Sequence, residues 1–428
     1  MNFELALLKV LRERGLATAE GPDPLAALTY SKELDCKREA FRLVSRDLGF
    51  RDAHVYDVVA APQPRHYRTT SRRRVAIIRG RPMLAHGDGR VEDLDRASTL
   101  EPDSHHKVYA TITAELDRMR ALPKKRTDSG DVKFFLNHVI VRGTDEELVV
   151  IFNVRLLDAS LVRLLRGWTV ALRRAIPAVA HVWIYNDPSG SRYYLEQDRP
   201  PGEVGAKKLH GAAATTLNIH GVMYQVGVFS FSQVNRAMMP ELVQTVRRLA
   251  LEPPLRPQGG PLPIIYDLYG GYGLFGAALA KDAAHIIEVD ADETTVANAR
   301  YNVKRAGGHV TALTMPVTAT SVERRIPQFE RQGAEGAPVV VILDPPRSGT
   351  AENVIAALAA RNPDRVIHVF CGPDEISRSM KEWRAAGYVA DIVVPLDLFP
   401  GTAGLEVIVR LVPAPKVSDD VREPRRRR

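Results

Sequence analysis

From residue 264 onward the chain repeats one pattern: a short apolar run, a turn rich in glycine, proline or acid, then a stretch with helical spacing. The apolar runs are Ile264–Tyr269, Ile286–Asp290, Val310–Thr314, Val339–Leu343, Val366–Phe370 and Val407–Leu411. Strands covered on both faces read as unbroken apolar runs, and parallel pairing needs a helical crossover between them. The alternation therefore predicts an α/β fold with a doubly wound, largely parallel sheet.

Upstream the pattern differs. Residues 28–49 carry apolar positions at helical spacing and end in Gly49, which predicts a helix. A basic stretch follows, Arg65-His66-Tyr67-Arg68 and Arg72-Arg73-Arg74, leading into a strand at Val75–Ile78. Between Phe134 and Gly227 the runs Asn137–Val141, Leu148–Phe152 and Val182–Tyr185 read as strands, interrupted by a helix over Leu161–Arg174. Residues 252–261 are dense in proline and glycine and read as a linker. The expected organisation is a helical and basic segment over 1–75, a central α+β domain over 76–255, the α/β domain over 256–412, and a basic tail over 413–428.

Composition narrows the partner and the compartment. Lysine and arginine number 59 against 51 acidic residues, a formal charge of +8, which favours a polyanionic partner. The basic clusters at Arg65–Arg74, Lys124–Arg126 and Arg425–Arg428 are candidate phosphate contacts. With only two cysteines, Cys36 and Cys371, the chain cannot build a disulfide framework, a four-cysteine zinc site or an iron–sulfur cluster. No metal is expected. No cleavable signal or membrane-spanning stretch is read, so a cytoplasmic protein without an obligate protein partner is expected.

The first strand of the C-terminal half runs into Asp267-Leu268-Tyr269-Gly270-Gly271-Tyr272-Gly273-Leu274-Phe275-Gly276. Gly271, Gly273 and Gly276 form GxGxxG, and Asp290 follows Gly273 by 17 residues at the end of the next strand, where an acid meets ribose hydroxyls. A nicotinamide dinucleotide and S-adenosylmethionine both fit this much. Asp267, just ahead of the glycines, is expected to answer a cationic cofactor and would repel a pyrophosphate, which favours S-adenosylmethionine.

Chemistry is expected at three strand ends. Asp344-Pro345-Pro346-Arg347 follows an apolar strand and holds a carboxylate over the cleft, where a planar base could sit. Cys371 ends the next strand just ahead of a helical stretch, whose positive end should favour the thiolate. Glu406 stands immediately before the closing strand and supplies a base at the same edge.

Together with Phe231-Ser232-Gln233-Val234-Asn235, Phe370-Cys371-Gly372-Pro373 and Phe399-Pro400-Gly401-Thr402-Ala403-Gly404-Leu405-Glu406, these motifs resemble the RNA uracil-C5 methyltransferases, which make 5-methyluridine in transfer and ribosomal RNA. The resemblance runs from about Tyr30 to Val412. It implies a Rossmann-like S-adenosylmethionine domain, Cys371 as nucleophile on uracil C6, and Glu406 as the base that removes the C5 proton. It also implies Gln233, Tyr269, Gly271, Gly273, Asp290 and Asp344 around the cofactor, and Phe231, Asp344, Tyr67 and Arg68 around the RNA. The family's usual Ser-Cys-Asn-Pro is Phe370-Cys371-Gly372-Pro373 here, its histidine two before the base is Gly404, and its frequent loop cysteine is Gly271. Lacking the iron–sulfur cysteines, the chain is more similar to the transfer-RNA-type members than to the ribosomal ones. Two other functions stay open: an NAD(P)-dependent oxidoreductase on the literal GxGxxG, and a non-catalytic RNA-binding or RNA-folding protein of the same fold.

Overall fold

The computed structural model describes residues 2–20, 23–79, 81–86, 91, 98–118, 136–187, 205–328 and 336–415. Two amphipathic helices come first, α1 (Phe3–Glu13) and α2 (Tyr30–Val44), followed by the short strand β1 (His54–Val55). Next come β2 (Thr70–Ile78), β3 (Arg81–Ala85), α3 (Asp103–Arg118), β4 (Leu136–Gly143), β5 (Leu148–Val154), α4 (Ala159–Ala175), β6 (Val179–Asn186) and β7 (Gly205–His210). They form a sheet of order β3-β2-β4-β5-β6-β7, antiparallel except for β5 and β6, with α3 and α4 buried against one face. The hairpin β8 (Ala214–Ile219) and β9 (Val222–Gly227) and the helix α5 (Met239–Leu251) lead into the second half.

That half contains β10 (Ile264–Leu268), α6 (Leu274–Ala278), β11 (His285–Asp290), α7 (Glu293–Arg305), β12 (Val310–Thr314) and α8 (Ala319–Arg324). It continues through β13 (Val339–Leu343), α9 (Val354–Ala359), β14 (Arg365–Phe370), α10 (Ile376–Ala385), β15 (Tyr388–Leu396) and β16 (Glu406–Pro413). The sheet order is β1-β15-β16-β14-β13-β10-β11-β12, and every pairing is parallel except those of β16 with β14 and β15. All six apolar runs become strands of this sheet. Their side chains fill a core on each face, α1, α2, α8, α9 and α10 on one side and α5, α6 and α7 on the other. This is the doubly wound α/β architecture expected from the alternation.

The domain boundaries differ from the expectation. Residues 3–58 do not stand apart: Phe3, Leu7, Val10, Phe41 and Val44 share one core with Val366, Trp383 and Val409, and β1 adds to the large sheet beside β15. An amphipathic helix reveals from sequence that it buries a face, but not against which partner. Residues 252–261 are not a free linker either. Arg365 donates to the carbonyls of Leu249 (3.3 Å), Ala250 (2.9 Å) and Pro253 (2.9 Å), and Arg410 donates to that of Glu252, so two sheet residues pin the segment. Lys124–Arg126 and Arg425–Arg428 lie outside the described residues, within which no helix is long and apolar enough to cross a membrane.

Phe41, 1% exposed, packs edge-on against Phe3 at 6.4 Å. Phe41→Ala is expected to cost about 3–5 kcal/mol by chemical denaturation and to raise amide exchange in β15 together with α2. Exchange that rises in α2 alone would mean that the N-terminal helices fold independently of the sheet.

Candidate active site

β10 pairs with β11 on one side and β13 on the other, and here the strand order reverses direction. Chains leaving the carboxyl ends of β10 and β13 diverge to opposite faces and open a crevice, the place where open α/β sheets bind ligands. The glycine loop leaves β10 with left-handed backbone at Tyr269, Gly271 and Gly273 (φ 60°, 58° and 78°). Asp290 braces it, accepting the Gly271 N–H on one carboxylate oxygen (3.1 Å) and the Asp292 N–H on the other (3.0 Å). Burial raises the Asp290 pKa.

Asp267 is corrected by the structure. Its side chain is fully buried and accepts the Gly276 N–H at 2.9 Å, so it ties the loop to the start of α6 instead of reaching into the crevice. Burial, the first cause, holds its pKa at about 7, with Asp344 and Asp290 adding to the rise. Beside it on β11, Glu288 is also buried, with neither carboxylate oxygen hydrogen-bonded. A Cβ on Gly276 would fall 1.8 Å from Glu288 Oε1, so a side chain here would force the buried Glu288 carboxylate to move.

The proximity of Cys371 and Glu406 is set by strand register. Phe370, the last residue of β14, pairs with Val407, and Leu396 at the end of β15 pairs with Glu406. Because β16 runs opposite to β14, its beginning lies beside the end of β14, which brings Glu406 to Cys371. The Glu406 side chain is 0% exposed and neither of its oxygens has a hydrogen-bond partner. Burial, with Asp344 second, raises its pKa well above the usual carboxylate range, and Arg347 opposes the rise. Asp344 is half-buried at the end of β13, and burial holds its pKa at about 7.

The expectation of a thiolate favoured by a helix dipole fails. The Cys371 pKa is pushed up to about 11, first by burial and then by Glu406, while a hydrogen bond and the charge of Arg347 pull the other way. A 3-10 turn over Pro373–Glu375 separates the thiol from Ile376, where α10 begins, and helix-end fields fade within a turn. Arg347, exposed in the turn after β13, is therefore the group that supports the thiolate. It was visible in sequence only as part of its motif.

The remaining candidates divide. Phe231 is 53% exposed and Gln233 half-buried in the segment after β9. α7 secures that hairpin: Asn302 donates to the carbonyls of Gln225 and Tyr272 (both 2.9 Å) and accepts the Gln225 N–H (2.7 Å), while Asn298 accepts from the Gln225 side chain (3.1 Å). Arg142 of β4 reaches the same segment, donating to Val228 O (2.6 Å) and Ser232 Oγ (2.9 Å). Tyr269 is half-buried, and burial lifts its pKa to about 12.

Tyr67, in contrast, is buried in the core, where its hydroxyl donates to Pro400 O at 2.9 Å. Arg68 is half-buried, bridges Asn235 through its backbone and approaches Asp23 at 3.9 Å. Two arginines of the expected basic patch are spent inside the molecule. Arg73 pairs with Glu101 through both terminal nitrogens (3.0 and 2.8 Å) and lies over the Tyr109 ring, and Arg65 pairs with Glu33 (3.2 Å). No cluster of three metal-ligating side chains occurs among the described residues.

Residues 214–413 match the family model described as tRNA (Uracil-5-)-methyltransferase. A protein of Enterococcus faecalis named as an RNA methyltransferase is 26% identical over 408 residues, covering 93% of this chain and 82% of its own. One of Listeria innocua with the same description is 25% identical over 391 residues, covering 90% and 80%. Among solved structures, the tRNA (uracil-54, C5)-methyltransferase of Pyrococcus abyssi superposes with a TM-score of 0.63 at 20% identity, covering 91% of this chain and 85% of that one, a likeness of fold. Over residues 214–413 the chain is similar to the tRNA (uracil-5-)-methyltransferase family, and it is an RNA methyltransferase.

Proposed function

We propose that the chain methylates C5 of a uridine in RNA, transfer RNA in preference to ribosomal RNA, through a covalent bond between Cys371 and uracil C6, with S-adenosylmethionine as methyl donor. The observation that carries this reading is the placement of Cys371 and Glu406 together at the crevice by the pairing of Phe370 with Val407. Uracil C5 is a weak nucleophile, and a thiol beside a buried carboxylate is the pair needed to activate it and then to release it.

The crevice suits a cationic cofactor. Burial raises the proton affinity of Asp290 and Asp344, so a positive group relieves them and a pyrophosphate aggravates them. A Cβ on Gly271 would meet nothing within 4 Å, which leaves room above the loop. The carboxylates weigh against the dinucleotide alternative. Asp290 would hold the ribose hydroxyls, with Gln233, Tyr269, Gly271 and Gly273 lining the remainder. When bound, the cofactor supplies an electrophilic methyl group.

The chain's own residues do the rest. Phe231, exposed in the segment after β9, offers a ring on which an unstacked uracil can lie, and Asp344 offers hydrogen bonds to its edge. Cys371 Sγ gives up its proton, for which Asp344 is a nearby acceptor, and bonds to C6, so that the electron pair of the C5–C6 double bond moves into an enolate. C5 then takes the methyl group. Glu406 removes the C5 proton, the double bond re-forms, and Sγ leaves C6. Gly404 is consistent with turnover in place of the family's histidine: a Cβ there would lie 3.1 Å from the Phe399 ring, so the ring occupies that space. The non-catalytic alternative rests on Gly372 and Gly404, and nucleoside mass spectrometry of RNA from cells with and without the gene separates it from the present reading.

Cys371→Ala is expected to abolish both 5-methyluridine formation and the trapped adduct with 5-fluorouridine RNA, and a variant that remains active would sink the covalent route. Glu406→Gln should methylate once and then retain the RNA, giving a denaturation-resistant band on a gel with unmodified transfer-RNA transcripts. The thiol sits at about 11 and the thiolate is the attacking form, so kcat/KM should climb about tenfold per pH unit between pH 7 and pH 10. A flat profile would assign the rate to another step.

A further inference from the structure

The loop that joins β15 to β16, residues 397–405, leads directly into Glu406, and its backbone is held from outside the hairpin. Four successive carbonyls each receive a donor from a different part of the chain. Leu398 O accepts from Asn235 Nδ2 (3.0 Å), Phe399 O from Lys37 Nζ (3.3 Å), Pro400 O from the Tyr67 hydroxyl (2.9 Å) and Gly401 O from the Leu25 N–H (2.9 Å). The Gly401 N–H donates to Glu33 Oε1 at 2.5 Å. Gly401 has φ 85°, and a Cβ there would stand 2.7 Å from the Leu100 side chain, so the turn and its close approach to Leu100 favour glycine.

At the centre of this clamp is a buried charge cluster. Lys37 and Glu33 are one helical turn apart on α2, both 0% exposed, with Nζ 2.9 Å from Glu33 Oε1 and 2.7 Å from Asp397 Oδ1. Arg65 closes the cluster on Glu33 Oε2, giving two cations and two carboxylates. Apolar side chains of similar size would usually stabilise a buried interface as well or better, because desolvating ions is costly. What ions add is a directional set of donors and acceptors. Here the set grips the loop before a carboxylate whose own oxygens have no partner.

We propose that Lys37 is a positioning residue for proton removal: with Glu33, Asp397 and Tyr67 it fixes the 397–405 loop and thereby holds the Glu406 carboxylate against the C5 proton of the Cys371 adduct. This rests on the reading of Glu406 as the base. α2 thereby takes part, through the loop it holds, in the proton removal that follows methyl transfer.

The test compares full-length Lys37→Met/Asp397→Asn, which removes one charge of each sign and leaves Glu33 paired with Arg65, with Tyr67→Phe, Glu406→Gln and the parent. Each is incubated with unmodified transfer-RNA transcripts and S-adenosylmethionine below its melting temperature. The readouts are the fraction of RNA trapped as covalent adduct, the single-turnover methylation rate, the multiple-turnover rate, and the affinities for RNA and for S-adenosylmethionine. The double variant should keep cofactor affinity and the single-turnover rate within about threefold, lose about tenfold or more in multiple turnover, and accumulate adduct, with Tyr67→Phe moving the same way by less. Adduct and turnover at parental levels in the double variant overturn the proposal, as does Tyr67→Phe acting only on RNA affinity. If the double variant does not fold, Tyr67→Phe alone decides by the same two outcomes. Glu406→Gln without adduct would instead refute the base assignment itself, a failure distinguishable from the first.

Discussion

The antiparallel insertion of β16 between β14 and β15 is the constraint on which the site depends. In an all-parallel sheet every strand would reach the crevice with its carboxyl end, and each strand would contribute the residues that follow it. A single reversed strand instead contributes its beginning. Glu406, the first residue of β16, thus lies next to Cys371, the residue that follows β14, though 35 positions separate them in sequence. Side chains alternate faces along a strand, so a one-residue slip of β16 would carry Glu406 out of this position and turn Ile408 and Leu411 out of their cores. The hydrophobic pattern that stabilises the sheet and the register that assembles the site are the same pattern.

Charge is distributed in the opposite sense to the overall composition. The chain is basic by +8, yet the crevice and the core beneath it gather Asp267, Glu288, Asp290, Asp344 and Glu406, several of them too buried to ionise at their usual pH. Arginines, meanwhile, are used in the interior: Arg73 on Glu101, Arg65 on Glu33, Arg410 on Asp391, Arg365 on the carbonyls that end α5. A guanidinium can satisfy several acceptors at once, which suits it to pinning irregular chain segments. Net charge therefore overstates how much of the basic stretch at 65–74 is free to meet phosphate.

The parts of the fold legible in the sequence were those fixed by local pattern. Five inner strands were readable because helices cover both their faces, leaving no polar alternation, and the edge strand β12 was readable as a short apolar run between turns. β15 was not, since Asp391, which pairs with Arg410, and Pro395 break its apolar run. Cys371 and Glu406 were legible as strand-end residues, as was Asp344. What the sequence could not carry was depth. Asp267 precedes a glycine loop whether it points into the crevice or into the core, and only the tertiary packing decides. The Cys371 thiol sits before a helical stretch in either case, but a full 3-10 turn intervenes, and burial with Glu406 outweighs the remaining dipole. Tyr67 lies in a basic stretch that reads as surface, yet its ring is core and its hydroxyl holds the 397–405 loop.

The N-terminal helices show how such depth links distant segments. α1 and α2 share a core with β14, α10 and β16, and β1 extends the same sheet, so the first 58 residues are structurally part of the domain that begins some two hundred residues later. An apolar contact alone would tolerate small shifts between the helices and the sheet, because dispersion and burial are weakly directional. The Lys37 cluster is directional: its nitrogen has three acceptors at 2.7–3.3 Å, two of them in the 397–405 loop, and its helix can shift little without leaving a buried charge unpaired. The core holds α2 on the sheet, and the cluster fixes how α2 meets the one loop on which the position of Glu406 depends.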